Sequence, residues 1–213
     1  MKNPDKPVPF TPVTEAANRY RVVGFISSVN GFEQLLPDVG WEVAFAGRSN
    51  AGKSSALNLL TDQRQLARVS KTPGRTQMIN FFRVEADRYL VDLPGYGYAQ
   101  VPEAMRRHWG ALLERYLRER QALRGLLLLM DIRHPLTPLD QRMLDCCIAR
   151  ELPVHILLTK ADKLSRGAAQ STLQQVRKAL RTAYPQATLQ LFSATTRQGV
   201  EAAHAQMDAW LGY

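Results

Sequence analysis

Residues 41–60 constrain this chain more than any other stretch. The apolar run Trp41-Glu-Val-Ala-Phe-Ala46 reads as a strand, and Lys53–Leu60 reads as a helix. Between them lies Gly47-Arg48-Ser49-Asn50-Ala51-Gly52-Lys53-Ser54: a glycine, four residues, then Gly-Lys-Ser. A loop of this spacing that opens a helix turns its backbone N–H groups inward, and the helix N-terminus adds partial positive charge. The result is a cradle for phosphate groups. Lys53 is expected to reach β- and γ-phosphate oxygens, and Ser54 to offer its hydroxyl to Mg²⁺. A glycine-rich structural turn is the competing reading, and the strand–loop–helix context disfavours it.

The remaining chain alternates in the same way. Asn80–Val84 and Arg88–Val91 read as strands around the acidic turn Glu85-Ala-Asp87. A helix over about 103–120 puts Met105, Trp109, Leu112, Leu113, Tyr116 and Leu117 on one face, with Arg107, Glu114, Arg115 and Arg118 opposite. Gly125–Asp131, Val154–Thr159 and Leu189–Phe192 read as buried strands, interleaved with helices at Pro138–Arg150, about 168–183 and Val200–Leu211. Six strands alternating with helices imply an α/β fold of three layers, with a mostly parallel six-stranded sheet and helices on both faces. Segments 61–79 and 93–102 fit neither pattern and read as functional loops. The expected organisation is an N-terminal extension over 1–22, partly disordered, and one domain over 23–213.

Composition excludes several classes. Hydrophobic residues at 45% and charged residues at 22% do not suit a disordered chain. The longest apolar run, around Gly125–Met130, falls far short of the ~20 residues that a spanning helix needs. The first residues lack the apolar stretch of a signal peptide, so a cytoplasmic location is expected. Cys146 and Cys147 are adjacent and offer neither a disulfide framework nor a metal knuckle. The four histidines, His108, His134, His155 and His204, lack metal-ligand spacing, and Trp41, Trp109 and Trp210 read as core packing. The net charge of +9 is unevenly spread. Residues 64–88 carry six bases against two acids, 103–124 six against three, and 163–197 six against none. Such an excess points to an anionic partner, nucleic acid before membrane.

Three more motifs fall at strand ends, where open α/β sheets bind ligands. Asp92-Leu93-Pro94-Gly95 closes the second strand after the loop. Its Asp suits the Mg²⁺ shell through water, and the Gly95 amide suits a γ-phosphate. Thr159-Lys160-Ala161-Asp162 ends another strand. A carboxylate at Asp162 accepts hydrogen bonds from guanine N1–H and its exocyclic amine, which adenine does not offer. Lys160 would lie along the base, and the amide of Ala194, in Ser193-Ala194-Thr195, would donate to guanine O6. A polar helix start capped by Asp162 is the alternative for that motif in isolation.

In this order these motifs resemble those of the translation-factor-like P-loop GTPases. Gly47–Ser55, Ser70-Lys-Thr-Pro-Gly-Arg-Thr-Gln77 with Ile79-Asn-Phe-Phe82, Asp92-Leu-Pro-Gly-Tyr-Gly-Tyr-Ala99 and Asp131-Ile-Arg-His-Pro-Leu-Thr137 resemble the bacterial EngB family in particular. Ala51 and Gln100 depart from its usual residues, and neither touches a proposed ligand. The resemblance implies a Ras-like fold and binding of GTP and GDP with Mg²⁺. It implies a nucleotide site that also takes in Ser55, Gly74 and Arg75. Thr76 would be the switch threonine that binds Mg²⁺ and the γ-phosphate; Thr72 competes for that role. Lys53, Thr76 and Gly95 would then act on the reacting phosphate.

Tyr96 stands where Ras-like proteins place a water-orienting glutamine, so hydrolysis is expected to be slow. Related GTPases use an asparagine at the Asn50 position to hold K⁺, which implies possible K⁺ stimulation. The family is linked to assembly of the large ribosomal subunit and to cell division and septation. The expected function is therefore a monomeric GTP-driven switch whose basic surface meets the large subunit or its rRNA. A septum-associated module without RNA contact and a P-loop small-molecule kinase are the alternatives.

Overall fold

The computed structural model describes residues 19–67, 78–97 and 103–213, with only the backbone of 103–107 and 109. The strands are β1 (Gly24–Val29), β2 (Trp41–Gly47), β3 (Ile79–Glu85), β4 (Arg88–Asp92), β5 (Leu123–Asp131), β6 (Val154–Thr159) and β7 (Thr188–Leu191). The helices are α1 (Lys53–Leu60), α2 (Glu103–Glu119), α3 (Pro138–Ile148), α4 (Arg166–Ala183) and α5 (Val200–Leu211). The sheet runs β1-β3-β4-β2-β5-β6-β7. β3 alone runs against the other six strands. The expected three-layer α/β architecture holds, with one strand more than the six expected. Five residues of β1 are half or fully exposed, and its Gly-Phe-Ile-Ser-Ser-Val sequence has no apolar alternation to reveal it.

Period-two alternation divides the core between the two faces. Ala44, Ala46, Leu126, Leu128, Met130, Ile156 and Leu158 point to α2, α3 and α4. Val43, Phe45, Leu127, Leu129 and Leu157 point to α1 and α5. Each buried Leu contributes about 1.5–3 kcal/mol of transfer free energy, and central strands carry apolar residues on both faces. Gly125 permits one close approach: a Cβ there would lie 2.2 Å from the Trp210 ring on α5.

The packing assigned to Trp41 needs correction. The residue is 37% exposed, and its ring lies beneath the guanidinium groups of Arg88 and Arg124. It begins β2, where its ring lies against Gly212 at the end of α5 and cations cover the rest of it. The Trp109 side chain lies outside the described residues. Tyr20, fully buried, stacks on His204 at 5.0 Å and donates to Asp208 Oδ1 at 2.8 Å, which docks residues 19–21 on α5.

At the amino ends of the parallel strands, Glu42 and Arg120 form a buried ion pair, 0% and 3% exposed. Tyr116 donates to Glu42 Oε2 at 2.6 Å, and Arg120 donates to the carbonyls of Leu36 and Pro37. The pair therefore holds the β1–β2 connection against the core. Removing one member leaves a buried charge unpaired, so Arg120→Ala is expected to lower stability by about 3–5 kcal/mol in urea unfolding. A loss below about 1 kcal/mol would show that the connection is held by other contacts.

Candidate nucleotide site

Parallel pairing delivers the carboxyl ends of β2, β4, β5, β6 and β7 to one edge of the sheet, and every described candidate residue lies there. The loop after β2 is shaped by two glycines with different reasons. A Cβ on Gly47 would come within 2.8 Å of Leu129 O, so only glycine lets the loop pass β5. Gly52 takes φ 90°, a left-handed turn that starts α1. Asn50 is also left-handed, with φ 64°, and exposed. Arg48, Ser49 and Ser54 are half-buried, Ala51 is buried and Ser55 is exposed.

Lys53 pairs with Asp92 Oδ1, and both side chains are at most 10% exposed. Among the described residues, the other carboxylate oxygen of Asp92 has only a long contact, 3.4 Å, from Asn80 Nδ2. An ammonium beside a carboxylate with one loosely held oxygen fits a site for phosphate and for a water-bridged Mg²⁺. Leu93 and Pro94 are buried and Gly95 is half-buried, leading to Tyr96, whose carbonyl accepts from Ser49 N at 2.9 Å. Among the described residues no cluster of three His, Cys, Asp or Glu side chains forms an all-protein metal cage. Thr72, Gly74, Arg75 and Thr76 lie outside the described residues, as do Tyr98, Ala99 and Gln100.

The second half of the site is fastened to the first. Thr159, buried, donates its hydroxyl hydrogen to Ala51 O at 2.6 Å and lies 3.1 Å from Met130 O. Lys160, left-handed at φ 58°, sends its ammonium to Asn50 O at 2.6 Å and to Asp131 Oδ2 at 2.9 Å. The Arg133 guanidinium and then Lys160 hold Asp131 well below the usual carboxylate range. Ala161, buried, donates its amide to Phe192 O at 3.1 Å, which brings the 193–195 segment beside Asp162. There Ser193 Oγ donates to Asp162 Oδ1 at 2.6 Å, and Lys163 pairs with Oδ2 at 3.3 Å. Ala194 is half-buried and Thr195 exposed.

The roles of Asp131 and Asp140 went unrecognised in the sequence. The motif Asp131–Thr137 by itself assigns Asp131 no role, and its signal is visible only once Lys160 is in place. Asp140 belongs to a capping box with Thr137, a local pattern that says nothing of its long-range bond to Tyr96. The histidines and cysteines keep their structural readings: His155 contacts Thr188 and Gln190, His204 contacts Leu60 O, and Cys147 is buried.

Ser193 is the first cause of the lowered pKa of Asp162. A depressed carboxyl adds stability above its unfolded pKa, and that contribution is lost as pH falls through the folded value. Ser193→Ala is therefore expected to move the Asp162 titration up toward the ordinary carboxylate value in carbon-detected NMR. An unmoved midpoint would remove Ser193 as the group that orients this carboxylate.

Comparison with known proteins agrees with the geometry. Residues 42–160 match the family described as "50S ribosome-binding GTPase". A probable GTP-binding protein EngB of Nitrosococcus oceani is 57% identical over 193 residues, covering 91% of this chain and 96% of that protein. One from Aromatoleum aromaticum is 54% identical over 193 residues, covering 91% and 89%. A crystal structure of a probable GTP-binding protein engB superposes with a TM-score of 0.66 at 18% identity, over 80% of this chain and 98% of that one. Era in complex with MgGDPNP and a segment of 16S ribosomal RNA superposes at 0.62 and 19% identity, over 80% and 56%. The latter two speak for the fold. With the family match spanning more than half the chain and relatives aligned over nine-tenths of it, the chain belongs to the EngB family of P-loop GTP-binding proteins.

Proposed function

We propose that this protein is a slow, Mg²⁺-dependent GTPase that acts as a monomeric cytoplasmic switch in assembly of the large ribosomal subunit. GTP binding follows from the family; the switch, its partner and its ion requirements are our reading. The loop 47–55 would hold the phosphates, with Lys53 drawn from Asp92 to the β/γ oxygens. Ser54, Thr76 and Asp92 would hold Mg²⁺, which when bound neutralises phosphate charge. Asp162 would select guanine, with Lys160 along the base and the Ala194 amide at O6. Gly95 would donate its amide to the γ-phosphate. Tyr96 spends its hydroxyl on Asp140, which supports a hydrolysis step without a side chain to orient water.

One observation carries the ribosomal reading beyond the family description. On α4, Arg166, Arg177, Lys178 and Arg181 are all exposed, and none has an acidic partner among the described residues. The expected basic stretch 163–197 narrows to this helix, because Lys163 pairs with Asp162 and Arg197 with Asp62. In 103–124, Arg115, Arg118 and Arg120 are likewise paired. An uncompensated basic flank suits RNA phosphates, and binding to them falls steeply with salt. No helix among the described residues is long and apolar enough to cross a membrane.

Sedimentation with ribosomal subunits tests this. Co-sedimentation with large subunits in a GTP analogue, weaker in GDP and lost at high salt, is expected. Absence from the subunit fraction under every nucleotide would favour a septation role without RNA. For the ion requirement, Asn50 would hold K⁺ near the phosphates, and GTP turnover is expected to be several-fold faster in K⁺ than in Na⁺ at equal ionic strength. Equal rates would sink the K⁺ site.

A further inference from the structure

Tyr96, directly after Gly95, is tied down through both backbone and side chain. Ser49 N donates to its carbonyl at 2.9 Å, and its own N–H points at Gly47 O at 3.4 Å. Arg48 and Tyr96 form a parallel bridge, an outlying rung of the β2–β4 ladder. The phenol donates to Asp140 Oδ1 at 2.7 Å, across 44 residues of sequence. Asp140 is 1% exposed. Its second oxygen accepts from Thr137 N at 2.9 Å and Thr137 Oγ1 at 2.7 Å, and Asp140 N donates back to Thr137 Oγ1 at 3.4 Å to complete the capping box that opens α3. One buried carboxylate thus joins the neighbour of the phosphate loop to a helix N-terminus.

A capping box does not need this bond, since Thr137 and Asp140 already satisfy each other. Burial raises the phenol well above its ordinary pKa, so it stays a donor. We propose that Tyr96 is a positioning residue whose bond to Asp140 holds the Gly95 amide in register with the phosphate loop, coupling the γ-phosphate to the N-terminus of α3. This rests on the reading of Gly95 as a γ-phosphate donor. Anchoring the next residue lowers the ordering cost of that amide, and only a nucleotide that touches Gly95 gains. GTP gains and GDP does not.

Affinities of the full chain for a non-hydrolysable GTP analogue and for GDP, with thermal melting, test the coupling. Tyr96→Phe is expected to weaken the GTP analogue about tenfold, the size of one hydrogen bond, and GDP by less than about twofold. Asp140→Ala should reproduce that selective loss, and the double variant should be no worse in selectivity than either alone. Thr137→Val, which removes the cap hydroxyl and keeps the phenol's acceptor, should lower only the melting temperature. Equal weakening of both nucleotides by Tyr96→Phe, no weakening, or a GTP-selective loss from Thr137→Val would overturn the proposal. Gly95→Pro, which removes the amide hydrogen, separates the coupling from its premise. An unchanged GTP-to-GDP ratio there removes the Gly95 reading, whereas a changed ratio there with none in Tyr96→Phe removes the coupling alone.

Discussion

β2 runs between β4 and β5 with both neighbours parallel to it, and the site depends on that ladder. Parallel strands end on the same edge, so pairing Phe45 with Asp92 and Gly47 with Leu129 sets the phosphate loop beside Asp92 and the Leu93–Gly95 segment that follows it. The β5–β6 pairing of Asp131 with Thr159 then carries Lys160 and Asp162 to the same edge. Parallel sheets need cover on both faces, and the five helices supply it. Buried Leu, Ile and Val on the three central strands keep the ladder dry, which fixes the register to one residue.

At the nucleotide edge the backbone adopts conformations that the rest of the fold must hold. Asn50, Gly52 and Lys160 have positive φ within one small region. Two of the three are not glycine, and each such residue costs on the order of 1 kcal/mol unless neighbours hold it. Here the holding groups are visible. Thr159 and Lys160 hydrogen-bond the carbonyls of Ala51 and Asn50, so the loop is stapled from the strand that also presents Asp162. The loop after β2 and the turn that carries Asp162 are parts of one hydrogen-bonded unit.

Much of this was legible before any coordinates. The limits of α1 and α5 follow from their flanking loop and turn residues, Gly52 before Lys53 and Gly199 before Val200. β5 and β6 declared themselves by apolar runs too short to be helices. β1 did not, because an edge strand that buries little carries no period, and Trp41 misled because aromatic residues serve cations as readily as cores. The candidate residues were legible because the loop spacing and the strand-end motifs each lie within one short segment. Their supports were not: Ser193 on Asp162, Asp131 on Lys160 and Asp140 on Tyr96 join residues 29 to 44 positions apart.

The sequence by itself determined the fold class and the glycine–lysine loop, and singled out Asp162 as the proposed base-selecting carboxylate, since each rests on spacing within a short segment. Tertiary structure alone decided which groups hold those segments together. A hydrogen bond between distant residues depends on strand order and register, and these emerge only when both faces of the sheet are packed. The lysine of the loop meets Asp92, and the phenol meets Asp140, because β4 and β5 flank β2.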